Sequence, residues 1–120
     1  MSSTGLYSGL YQIFYKAATL VDDVLVALGT RNSCETDACE ELGQLLVDLA
    51  SEEKRNLSVQ MLAMALYGNH RLSPTNRREA GEALLSNRVD QQTLEALEEL
   101  SRVLEQMQAQ SLSRMREGAP

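Results

Sequence analysis

At 120 residues the chain has the length of one domain and can build a core without disulfides or metal. Its apolar share of 43% and charged share of 23% are those of a globular protein, and its two prolines, lack of tryptophan and wealth of Leu, Ala, Glu, Gln and Arg point to an all-helical chain. The net charge of −6 argues against nonspecific binding to DNA, RNA or an anionic membrane, because like charges repel.

The first predicted helix runs from about Leu6 to Leu28, with Gly29 as a left-handed stop. Leu6, Leu10, Ile13, Ala17, Leu20, Val24 and Leu28 form one apolar stripe at helical spacing. Tyr7, Tyr11, Phe14, Ala18 and Leu25, with Tyr15 at the edge, form a second stripe rotated by about 100°. Gln12, Lys16, Thr19 and Asp23 hold the polar side. A surface helix needs one apolar face, so a helix with nearly two is expected to be sandwiched. Four of the chain's five aromatic residues lie in this segment. Ordering about nine residues here costs on the order of 9–18 kcal/mol, and burying four rings returns about 15 kcal/mol gross. The helix end is therefore ordered only if something covers the rings.

After Thr30 to Ser33, the acids Glu35, Asp37, Glu40 and Glu41 mark a helix entry with Thr36 as its cap. Cys39, Leu42, Leu46 and Leu49 form one seam. Residues 37–67 read as one helix or as two divided near Asn56, with Leu57, Met61, Met64, Ala65 and Tyr67 carrying the apolar pattern to a stop at Gly68. Ser73-Pro74 opens a short helix holding Ala80, Ala83, Leu84 and Leu85. Asp90 caps the last helix, with Val89 and Leu94 as a hydrophobic staple, Leu94, Leu97, Leu100, Leu104 and Met107 as the seam, and Glu98 with Arg102 as an exposed pair. The seam dissolves at Ser111. The expected fold is an all-α compact bundle of four to five helices with long N-terminal and C-terminal helices, a single domain frayed over residues 1–5 and about 110–120.

Charge is segregated: residues 34–53 carry acids and no base, whereas residues 54–88 carry Lys54, Arg55, Arg71, Arg77, Arg78 and Arg88. Complementary faces within one bundle account for this better than an acidic surface steering a basic partner. Cys34 and Cys39 are expected as reduced thiols, and with His70 the sole histidine, neither a metal site nor a cofactor is expected. The start lacks a basic, apolar leader, and the longest apolar run is interrupted by Lys16, Asp22 and Asp23, so a cytoplasmic location without a membrane span is expected.

No nucleotide-binding, metalloprotease or nucleophile-elbow motif is present, and His70 has no neighbouring carboxylate in sequence, so no enzyme activity is expected. A helix-turn-helix reading around Arg77 and Arg78 suffers from an overlong loop and the wrong total charge, which makes nucleic acid an unfavoured partner. Protein interaction is left. Tyr7, Leu10, Tyr11, Phe14, Tyr15, Ala18, Val21 and Leu25 are the expected partner or dimer interface, a homodimer being the commonest way to hide such a stripe.

In size, acidity and helical make-up the chain resembles small bacterial anti-activators that silence quorum-sensing transcription factors. It is similar in type to small helical secretion chaperones and phage-encoded inhibitors as well. The resemblance covers general character over the whole chain, with the Tyr7 to Tyr15 helix as the implied contact surface. It implies a regulatory protein that sequesters a partner, foremost a transcription factor, with a DNA-binding regulator or a chaperone as alternatives.

Overall fold

The computed structural model describes residues 3–31, 33–53 and 56–117, with side chains from residue 5 onward. The fold is all-α: α1 (Ser3–Arg31), α2 (Asp37–Ala50), α3 (Leu57–Ala65), a single 3-10 turn (His70–Leu72), α4 (Pro74–Leu85) and α5 (Gln91–Glu117). Thr36, Ser73 and Asp90 cap as their sequence positions require, each accepting a backbone N–H from the third residue on. The Thr93 amide and hydroxyl both donate to Asp90, which holds its carboxyl below the usual range. Asn56 caps α3, so the 37–67 segment is two helices.

Gly29 does not stop α1. The helix continues through it to Arg31, and the left-handed backbone positions are at Gly68 and Asn87. The Thr30 hydroxyl donates back to the Val26 carbonyl at 2.9 Å inside the continuing helix, and nothing packs on Gly29 to force a turn. At the other end, α5 persists to Glu117 beyond the expected dissolution of its seam, with Ser111 itself buried. Residues 1–2 and 118–120, parts of the expected frayed ends, lie outside the described residues, as do Lys54 and Arg55.

Two antiparallel helix pairs make the body. Asp22 accepts a hydrogen bond from the Ser101 hydroxyl, and the Cys34 amide donates to Asn87 just before α5, so α1 and α5 run antiparallel. Gly43 of α2 meets Gly81 of α4: a Cβ on Gly81 would lie 2.7 Å from the Gly43 carbonyl oxygen. Leu49, near the end of α2, meets Arg77, near the start of α4. The second pair is therefore also antiparallel, drawn close by glycines that each cost about 1 kcal/mol of helix propensity.

The seam of α2 is as expected, with Cys39, Leu42, Leu46 and Leu49 all fully buried. Cys34 and Cys39 differ from expectation: they form a disulfide that ties the loop after α1 to the first turn of α2. Asn87 pins the same loop, accepting from Cys34 at 2.7 Å and donating to Glu35 at 3.3 Å. The bond removes the thiol argument for a cytoplasmic location. No helix among the described residues is long and apolar enough to cross a membrane.

Helix lengths set the outline. At 1.5 Å per residue, α1 spans about 43 Å and α2 about 21 Å, so the α2–α4 pair covers only half of the α1–α5 pair. The radius of gyration, 14.7 Å, exceeds the about 13.6 Å of a compact chain this size, and the longest extent is 49 Å. The ends of α1 and α5 remote from the disulfide project as a two-helix arm.

Candidate interaction surface

The expected interface on α1 divides in two. Asp22 follows Ala18 by one turn and is bonded to α5, so the aromatic stripe faces α5 and the Leu10–Ala17–Val24 stripe faces α2 and α3. Phe14, Ala18 and Val21 are buried in the monomer's own core and cannot be a partner surface. Leu10 and Leu25 are half-buried and packed on that core, while Tyr7 and Tyr11 are half-buried. Tyr15 is 49% exposed and stacks on Tyr11 with ring centroids 6.0 Å apart. The physical reason is the length of α5. Counting eleven residues back from Asp22 and on from Ser101 brings Leu112 level with Tyr11, so the segment expected to fray covers the rings. No hydrogen bond joins the Tyr7, Tyr11 or Tyr15 hydroxyl to another described residue.

A second apolar surface lies on α3 and the turn after it, along the residues that carry the apolar pattern of the sequence. Leu57, Met64 and Tyr67 are 63%, 69% and 92% exposed, and Met61 is half-buried beside them. The residues facing inward are Val59, Leu62 and Leu66. The helix is apolar on both sides, and its caps allow either. The β-branched and leucine set, at spacings of three and four, faces inward where α3 packs against α1 and α2. Leu57, Met61 and Met64 sit at i, i+4 and i+7 on the outside, the spacing by which helices dock into grooves. Methionine suits such a surface because its unbranched chain adapts to the surface it meets. A signal was available: Leu57 and two methionines lie on one side of a nine-residue helix whose other side already has the core residues Val59 and Leu62.

The two adjacent arginines of α4 are engaged within the molecule. Arg77 is buried, its Nε and Nη2 donating to the Leu49 carbonyl at 3.2 and 2.9 Å and its Nη1 to the Leu72 carbonyl at 2.6 Å. Burial lowers its pKa, yet the three bonds keep the charge satisfied at the C-terminal end of the α2 dipole. Arg78 donates to the Ala50 carbonyl at 3.5 Å. Arg77 and Arg78 therefore meet the end of α2 through its carbonyls. A helix with Arg77 turned inward offers little to a DNA groove. Arg102 pairs with Glu99 and not with the expected Glu98, and this lowers the Glu99 pKa.

A groove of about 560 Å³ lies between α4 and α5, lined mainly by Arg71, Asn76, Glu79, Asp90, Thr93 and Glu95. Its wall is polar, and Asp90, Thr93 and Asn76 are engaged in holding turns and caps. Small-molecule sites are more apolar than this. His70 is exposed at the start of the 3-10 turn, and no group of three or more His, Cys, Asp or Glu among the described residues could hold a metal ion.

Compared with family models, curated proteins and solved structures, the chain matches none.

Proposed function

We propose that this chain is a non-enzymatic regulatory protein that binds and sequesters a protein partner, and that the outward face of α3 makes the contact. The observation that carries the reading is the exposure of Leu57 and Met64 at helical spacing on α3, and of Tyr67 in the turn after it, while Val59, Leu62 and the C-cap residue Leu66 hold the helix in place. An apolar stripe with no intramolecular work to do is costly to leave in water, and contiguous patches of this kind mark protein contacts. A transcription factor is the partner that the likeness to anti-activators favours, and inhibition then follows by occupying the factor's own interface. A cytoplasmic site of action belongs to that reading. The Cys34–Cys39 bond stands against it and favours an oxidising compartment, where a chaperone-type role fits better.

The test is capture from the native host with wild type, Met64→Glu/Tyr67→Glu and Glu40→Lys/Glu41→Lys. The expected result is one partner held by wild type and by the charge-reversed chain and lost by the α3 variant, because desolvated anchors are worth roughly 2–4 kcal/mol and exposed charges under about 1 kcal/mol. A partner lost on charge reversal and kept by the α3 variant would transfer the function to the acidic face of α2.

A further inference from the structure

We propose that the projecting ends of α1 and α5 are the contact surface for a second copy of the chain, whose own two helix ends complete a four-helix tip. This pairing does not rest on the reading of α3.

The first argument is what lies bare. Ala17 and Val24 are buried on the stripe of α1 that faces α2 and α3. The same stripe continues toward the N-terminus as Ile13, Leu10 and Leu6, beyond the reach of α2, and there Leu6 is 63% exposed and the other two are only half-buried. From Gly5 to Ile13 no residue is buried, although the stripe is as apolar as it is lower down. On α5, Met107 continues the matching seam and is half-buried; Leu10, Ile13 and Met107 touch the edge of the core, and Leu6 is the residue of the stripe that lies fully open.

The second argument is size. Two helix ends side by side offer a face about 20 Å long and about 20 Å wide. A single foreign helix covers about half of that width, whereas another two-helix end covers all of it. Mutual coverage removes on the order of 1,000 Å² of accessible surface, close to the lower limit of about 1,200 Å² for a specific interface. The dimer is therefore one of micromolar strength and not an obligate one.

The third argument is charge. The chain carries −6, so two copies repel over most of their surfaces. From Ser3 to Val21 the one charged residue is Lys16, and on α5 beyond Leu104 Arg114 and Arg116 offset Glu105 and Glu117. The arm is the place where two acidic copies meet without repulsion, and it offers a foreign partner little charge to recognise. Gly5 and Gly9 stand beside the bare stripe with open space where a Cβ would be, room of the kind that Gly43 and Gly81 use for close helix approach. A twofold dimer carries two α3 faces, which makes capture of a twofold partner bivalent.

Sedimentation equilibrium across the micromolar range tests the pairing, with wild type, Leu6→Glu, Gly9→Glu and Met64→Glu. Wild type and Met64→Glu are expected to pass from monomer to dimer together. Leu6→Glu and Gly9→Glu are expected to weaken the dimer about tenfold or more with their far-UV helical signal intact, since both positions are exposed in the monomer. A strictly monomeric wild type, a dimer that survives both arm variants, a dimer lost in Met64→Glu, or loss of helix in Leu6→Glu would each overturn it.

Discussion

The two ends of the molecule are built on opposite terms. At the disulfide end, α2 and α4 touch through Gly43 and Gly81, the leucine seam is dry, and Arg77 satisfies the carbonyls that α2 leaves open. At the other end α1 and α5 continue alone, with Leu6 bare and Leu10, Ile13, Tyr7 and Tyr11 half-covered, while α3 turns Leu57, Met64 and Tyr67 to solvent. The apolar stripe of α1 runs through both ends. What separates them is how much chain is left to cover each, and that difference locates the surfaces available for partners.

The contrast is sharpest within one turn of α1. Phe14→Ala should destabilise the fold by about 3 kcal/mol through loss of core packing, whereas Tyr15→Ala should cost under about 1 kcal/mol. Chemical denaturation of both variants checks this, and equal losses would erase the distinction between inward and outward aromatics. Arg77→Met tests the closed end. It leaves the Leu49 and Leu72 carbonyls without their buried donor, and a loss of about 2–3 kcal/mol in the same assay is expected. A neutral outcome would mean that the guanidinium is dispensable to the α2–α4 pair. Gly29→Ala probes the smallest difference. Since α1 runs through Gly29 with open space around it, alanine should stabilise by about 0.5–1 kcal/mol, and destabilisation would restore Gly29 as a left-handed stop.

Much of the architecture was legible because it rests on local chemistry. Thr36, Ser73-Pro74 and Asp90 announce their helices, and the four-residue seam of α2 admits one burial pattern. The errors arise where the decision is not local. The seam of α5 breaks at Ser111, but α1 lies opposite and holds the helix to Glu117, which in turn buries Phe14 and half-buries Tyr7 and Tyr11. In α3 both sides are apolar, so only its packing against α1 and α2 selects Val59, Leu62 and Leu66 over Leu57, Met64 and Tyr67. Cys34 and Cys39 are joined by a turn that Asn87 fixes from more than fifty positions away. Of the expected interface residues, Tyr15 alone is exposed, and in the sequence the exposed residues of α3 read only as the continuation of the apolar pattern.

The central claim is that the uncovered apolar residues serve two separate contacts, one with a second copy through the arm and one with a foreign protein through α3. Site-specific photo-cross-linking in the native host addresses both at once, with the reactive side chain placed at Leu6, at Met64 or, as a control on exposed α2 surface, at Glu40. Position 6 should give a product of twice the chain's mass, position 64 a product containing one different protein, and position 40 neither. The same products from all three positions, or none from position 64, would contradict the account.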